Sequence, residues 1–268
     1  MSVLPTSGPR TALADAATLT GRALRHWVRQ PAPVVITLLF PVLLVLMFGY
    51  LLGGAMAVPG GGDYREFLLP GMFAMAMLFG IETTYTAVAT DAARGVTDRF
   101  RSLPIARWAV VAGRAGADAL HAVAALAVLF GCALAVGWQW HLGVGRALAA
   151  AGLLLLLRLA MIVVGVHLAL LLRAPESVAA LQILVWPLGF ASNAFVAPQT
   201  MPGWLATVAE WNPLSATVAA CRELFGNPGW GGAGWPADHA VALAVAWPLL
   251  LIAVSGPLAV RRWRGLDR

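Results

Sequence analysis

Residues 147–172 read ALAAAGLLLLLRLAMIVVGVHLALLL, a run in which Arg158 is the one formal charge. That is too long for a strand, which usually spans about 3–10 residues. It exceeds the roughly 20 apolar residues with which a helix crosses the hydrocarbon core of a bilayer. Outward from it, runs of the same kind lie at Val34–Leu52, Phe67–Thr90, Ala119–Trp138, Val178–Ala197 and Asp238–Val260, making six in all. The 268 residues are 60% hydrophobic and 11% charged, with a mean hydropathy of +0.80, far above that of a chain folding around one water-shielded core. The fold class expected is therefore an all-α membrane protein with six transmembrane helices, organised as a single domain over residues 1–268. Ala55-Met56-Ala57 resembles a signal-peptidase site. The polar region before the first run and the length of that run are wrong for a cleaved signal, so an uncleaved first helix is expected.

Charge sets the orientation. The chain has 18 basic residues, all arginine, and a net charge of +6. A soluble domain so basic would suggest nucleic acid. Here the arginines sit at the ends of apolar runs, where the preference of short basic loops for the cytoplasmic side accounts for them, and no nucleic-acid partner is expected. With the N-terminus inside, fourteen arginines fall on inner segments and three, Arg65, Arg146 and Arg222, on outer ones. Both termini and the loop at 91–108 are thus read as cytoplasmic. Trp138, Trp140, Trp204, Trp211, Trp230 and Trp235 gather on the outer side, as amphipathic rings at headgroup depth do. The lack of lysine, beside abundant Ala, Gly and Pro, fits a GC-rich bacterial genome and hence a bacterial cell membrane. It also removes the phosphate-binding loop G-x-x-x-x-G-K-[ST], whose lysine reaches the terminal phosphates. The carboxylates are scattered and form no cluster with histidine, so no catalytic residue is expected. Cys132 and Cys221 lack metal-ligand spacing and read as small buried apolar residues, so no metal ligand is expected either.

Two polar stretches break the apolar pattern. Over 11–30, Asp15, Thr18, Arg22, Arg25 and Arg29 recur at intervals of three and four opposite Leu13, Leu24, Trp27 and Val28, before Pro31 and Pro33. That periodicity predicts an amphipathic helix lying in the inner membrane interface. Residues 91–108, DAARGVTDRFRSLPIARW, place Arg94, Asp98 and Arg101 on one helical face and Val96, Phe100 and Leu103 on another, and Pro104 stops the helix. A short helix tied at both ends to membrane-crossing rods can transmit force; the same arginines also hold the loop inside.

At GVTDRFRSLPIARW, followed by Gly113-Arg114 and Asp118, and again at 187–226, PLGFASNAFVAPQTMPGWLATVAEWNPLSATVAACRELFG, the sequence resembles the type 2 ABC exporter permeases, in particular their daunorubicin-resistance-like drug and antibiotic exporter branch. The resemblance implies the transmembrane subunit of an exporter of an amphipathic drug, antibiotic or lipid-like molecule. It implies separate ABC ATPase subunits that bind ATP and Mg, no cofactor on this chain, and a second permease chain, identical or different. It implies that the loop helix is a coupling helix seated on the ATPase, with Arg94, Asp98, Arg99, Phe100, Arg101, Leu103 and Pro104 as contacts. It also implies a re-entrant outer gate in 198–236 carrying Met201, Pro202, Asn212, Pro213 and Arg222.

By the residues alone, Gly203–Glu210 and Pro213–Phe225 read as two short helices, the second with Asn212 at its N-cap and Pro213 in its first turn. They fit either a re-entrant pair or an interfacial hairpin held by tryptophans. Glu82 and Arg158 lie inside spans, where a charge must be paired or face water; they read either as an ion pair between spans two and four or as contacts to cargo. Asn193 and Phe195, in the fifth run, are further pathway candidates. Two other exporters share the features so far: one for polysaccharide or lipid-linked glycan, and a proton-coupled carrier using Glu82.

Overall fold

The computed structural model describes residue 21 and residues 31–51, 63–93, 107–229 and 234–265. Within them every regular element is helical: α1 (Pro31–Leu51), α2 (Tyr64–Ala93), α3 (Arg107–Ala135), α4 (Val144–Leu172), α5 (Val178–Phe190), α6 (Gly203–Glu210), α7 (Pro213–Phe225), α8 (Trp235–Asp238) and α9 (Ala240–Gly265), with single 3-10 turns at Pro175–Ser177 and Pro198–Thr200. Among the described residues four stretches are long and apolar enough to cross a membrane: Tyr64–Ala93, Gly116–Ala135, Val144–Leu172 and Ala240–Trp263. The interfacial stretch at 11–30, apart from Gly21, and the coupling residues Arg94, Asp98, Arg99, Phe100, Arg101, Leu103 and Pro104 lie outside the described residues.

α2 is the buried centre. Phe67, Leu68, Leu69, Phe73, Ala74, Tyr85 and Ala89 along its length are wholly inaccessible. It packs against α4, whose other side receives α9, and α7 sits between α2, α4 and α9. The α2–α4 contact is close because Gly165 presents no side chain: a Cβ there would lie 3.0 Å from the Ile81 carbonyl. Toward its C-terminal end α2 is tied to the α4–α5 connection, where the Tyr85 hydroxyl donates to the Ala174 carbonyl at 2.9 Å.

The fifth apolar run departs from the single span expected over Val178–Ala197. Its α-helix has 13 residues and ends at Phe190, a length of about 20 Å against a hydrocarbon core of roughly 30 Å. The cause is local chemistry. Pro187 removes one donor from the last turn. The hydroxyl of Ser192 then donates to the Gly189 carbonyl at 2.6 Å and accepts from the Ala194 amide at 3.2 Å, a side-chain alternative to helical bonding. Pro198 opens the next 3-10 turn.

Trp138 also departs from expectation. It is fully buried rather than at headgroup depth. After α3 ends, Gly137 adopts φ +96°, and the chain turns so that the indole meets Phe73 and Phe225 edge-on, with centroids 5.2 and 4.9 Å away. Its Nε1 donates to Asn227 Oδ1 at 2.9 Å. Trp204, Trp211 and Trp235 are exposed, Trp140 is half-buried with its ring 6.0 Å from that of Trp138, and Trp230 is outside the described residues. Both cysteines are free, Cys221 wholly buried and Cys132 partly so.

The turn after α5 rests directly on α2, since a Cβ on Gly71 would come within 2.9 Å of the Ala194 carbonyl oxygen and 3.1 Å of its Cα. Backbone cannot retreat as a side-chain tip can. Gly71→Val is expected to destabilise the fold by about 1–3 kcal/mol through overpacking, seen as a lower thermal unfolding midpoint in detergent, whereas the same change at Gly152, which meets nothing within 4 Å, leaves the midpoint near wild type.

Candidate functional site

Two cavities flank the break in the fifth run. The first, of about 290 Å³, opens between α1, α2, α3, α4 and α5 and is lined chiefly by Met72, Met75, Met77, Phe79, Leu129 and Trp186, with Glu82, Thr83, His121 and Arg158 as its polar members. Glu82 points toward α5: Oε1 accepts from Trp186 Nε1 at 3.0 Å and Oε2 from Gln182 Nε2 at 2.9 Å. Gln182 and Trp186 are one helical turn apart, so both donors meet one carboxylate. Phe79, one turn before Glu82 on α2, lies against the Trp186 ring with centroids 5.0 Å apart.

Arg158 is engaged elsewhere. Its Nη2 reaches the hydroxyls of Thr83 and Thr84 at 3.4 and 3.5 Å, and Thr84 Oγ1 in turn donates to Asp118 Oδ2 at 2.8 Å. A hydroxyl that accepts from a guanidinium and donates to a carboxylate links the two charges across α4, α2 and α3. Gly80 makes this possible, because a Cβ there would overlap the Arg158 guanidinium. Glu82 and Arg158 therefore share a cavity, in which Glu82 bonds to α5 and Arg158 reaches Thr83 and Thr84.

The second cavity, of about 340 Å³, lies where α7, α8 and α9 meet the turn after α5. Asn193, Ser215, Arg222 and Asn227 line it together with the carboxylates of Glu210, Glu223 and Asp238. Arg222 is 3% exposed, and among the described residues its hydrogen bonds go to backbone carbonyls. Its Nε donates to the Phe67 carbonyl, Nη1 to that of Asn193 and Nη2 to that of Ala194, each at 3.0 Å. The guanidinium also lies 3.8 Å from the centroid of the Phe67 ring. One side chain thus satisfies carbonyls that the broken helix leaves open and fastens them to α2.

Asn212 completes the repair. Its Oδ1 accepts from the Leu214 amide at 2.9 Å as the N-cap of α7, while Nδ2 donates to the Leu188 carbonyl at 2.7 Å. Pro213 fills the first turn of α7, and α6 and α7 occupy the bounds read from the sequence. The Asn193 amide donates to Ser215 Oγ at 2.9 Å. The remaining candidates do not line the second cavity. Phe195 is packed between Phe190, stacked at 5.3 Å, and Phe48 of α1 at 5.5 Å. Met201 closes the 3-10 turn and Pro202 starts α6, its carbonyl accepting from Leu205 and Ala206 at 2.8 and 2.9 Å.

Several members of these sites carry no sequence signal. Thr83, Thr84, Gln182, Trp186 and Ser215 are ordinary residues of apolar runs until the helices are juxtaposed. Asp118 does have one, as an acid inside a helix that crosses the membrane.

Across α1 to α7, and so through the first cavity and the α7 side of the second, the sequence matches the family described as ABC-2 type transporter, over residues 15–225. The chain belongs to the ABC-2 type transporter family. It is 35% identical over 260 residues to the Daunorubicin resistance ABC transporter permease protein DrrB1 of Streptomyces coeruleorubidus, covering 96% of this chain and 89% of that protein. It is 23% identical over 207 residues to the Probable doxorubicin resistance ABC transporter permease protein DrrC of Mycobacterium tuberculosis, covering 76% of this chain and 74% of that one. With helices able to cross a membrane, this ABC-2 chain is a multi-pass membrane permease.

In the ABC-2 chain, Arg222 is the side chain whose loss leaves most backbone unsatisfied. Arg222→Met keeps the stem and removes every donor. It is expected to cost roughly 3 kcal/mol or more, from three charge-assisted bonds and the carbonyls stranded without them. Arg222→Lys, which keeps the charge but not the planar fan, should fall between wild type and Met in thermal unfolding midpoint; a Met variant as stable as wild type would contradict the clasp.

Proposed function

We propose that this chain is the membrane-spanning permease subunit of an ATP-driven exporter, moving an amphipathic drug, antibiotic or lipid-like molecule out of the cell while separate ATPase subunits bind and hydrolyse ATP with Mg. The observation that carries this is the likeness to a daunorubicin resistance permease over 96% of the chain. The first cavity adds physical support, since its Met and aromatic walls suit an amphipathic molecule.

In this reading α1 and α5 complete a set of six spans, with α5 continued by the turn at 191–197. The helix of 11–30 lies in the inner interface, and α6 and α7 form a re-entrant pair at the outer face. Irregular backbone at membrane depth requires internal partners, and Arg222 and Asn212 supply them. Both termini face the cytoplasm. A second permease chain, identical or different, closes the path.

The coupling residues Arg94, Asp98, Arg99, Phe100, Arg101, Leu103 and Pro104 follow directly on α2. That helix has 30 residues, about 45 Å of continuous rod. Phe67 at its outer end meets Arg222, and Glu82 further along meets α5. A push on the loop by closing ATPases would move α2 against α5 and α7 at both cavities together. Nucleotide binding would thus bias an inward-open arrangement toward an outward-open one.

Arg101→Glu tests the coupling. Reversing a charge at a docking surface is expected to lower co-purification of the ATPase about tenfold and ATP-driven uptake into inside-out vesicles with it, leaving expression of the chain unchanged. The second reading, a proton-coupled carrier, draws on the carboxylate in the cavity; uptake that survives ATP depletion and stops with an uncoupler would select it. An ATP-driven uptake that polysaccharide precursors, and no amphipathic drug, compete away would select the glycan exporter.

A further inference from the structure

Among the described residues, Glu82 and Arg158 are the carboxylate and the guanidinium that line the first cavity. Its arginine is linked through Thr84 to the Asp118 carboxylate. Glu82 has two hydrogen-bond partners, and both are neutral: the Gln182 amide and the Trp186 indole. A carboxylate offers about four acceptor positions, so Glu82 retains capacity for a further donor. The surface beside it is the paired Phe79 and Trp186 rings, 5.0 Å apart, continued by Met72, Met75 and Met77. A carboxylate next to aromatic faces and thioethers attracts a cation by charge and by ring quadrupole, while the apolar walls take the rest of the molecule.

Glu210, Glu223 and Asp238 line the outer cavity, and its arginine is committed to three backbone carbonyls. An anionic molecule would meet repulsion at both places.

We propose that Glu82 with the Phe79–Trp186 pair forms a subsite for the protonated amine of an amphipathic cargo. This rests on the exporter reading and narrows its cargo. Glu82 is then a specificity determinant as well as a clasp between α2 and α5. The two roles separate in Glu82→Gln, whose amide oxygen still accepts from Trp186 but whose charge is gone.

The test is equilibrium binding of daunorubicin, an amphipathic amine, and of its N-acetyl form, which keeps the rings and loses the charge, to the full-length chain in detergent, read by drug fluorescence. The wild-type chain is expected to bind the amine about tenfold more tightly than the N-acetyl form. In Glu82→Gln that preference should vanish while N-acetyl binding stays unchanged. Equal binding of the two forms by wild type, no binding of either, or an equal loss of both in the variant would overturn the subsite. If that variant does not fold, Phe79→Leu, which removes one ring of the pair, should weaken the preference for the amine, and an unchanged preference would overturn the subsite. ATP-driven uptake is scored separately: binding with charge preference but no ATP dependence of transport would contradict the exporter reading and leave the subsite standing.

Discussion

A backbone that stops being helical inside a bilayer has to find its own hydrogen-bond partners, because no water is there to supply them. In this protein the apolar run 178–197 stops being helical at the end of α5. The carbonyls of Leu188, Asn193 and Ala194 are left without helical donors and are taken up by Asn212 and Arg222, both from α7 and its cap. Arg222 also bonds the Phe67 carbonyl of α2. The break, α7 and the central helix are thereby held as one unit, and both cavities lie against it. An arginine suits the task better than a lysine, since its planar donors diverge in a fixed fan toward several carbonyls at once.

The same construction explains how distant parts can act together. α2 meets Arg222 at Phe67, α5 through Glu82, and α3 and α4 through Thr84, Asp118 and Arg158. Close-packed helices with glycine at the points of contact, Gly71 against the post-α5 turn and Gly165 against α2, slide as rigid bodies more readily than they deform. A displacement entering at the C-terminal end of α2 would therefore reach both cavities with little loss.

Much of this was legible before any coordinates. Long apolar runs gave the helices, because a membrane span announces itself by length and composition alone. Asn212-Pro213 set the start of α7 through capping chemistry that depends on neighbours in sequence. The short α5 was not legible as such: Val178–Ala197 is apolar enough to span, and its interruption depends on Ser192 bonding within the turn and on Arg222 arriving from α7. Trp138 was misread for a similar reason. Tryptophan after a span usually marks the interface, but the turn at Gly137 sends this one into the core, where Phe73, Phe225 and Asn227 receive it. Glu82 and Arg158 stood out as charges in spans, whereas their partners Gln182, Trp186, Thr83 and Thr84 became visible only once helices were side by side.

The central claim, that α2 moves against α5 when partner ATPases close, is tested most directly by spin labels on Thr86 of α2 and Leu184 of α5, both exposed, in the assembled complex in lipid. The account predicts that trapping nucleotide with vanadate shifts the measured distance distribution relative to the nucleotide-free complex. Identical distributions in the two states would contradict it.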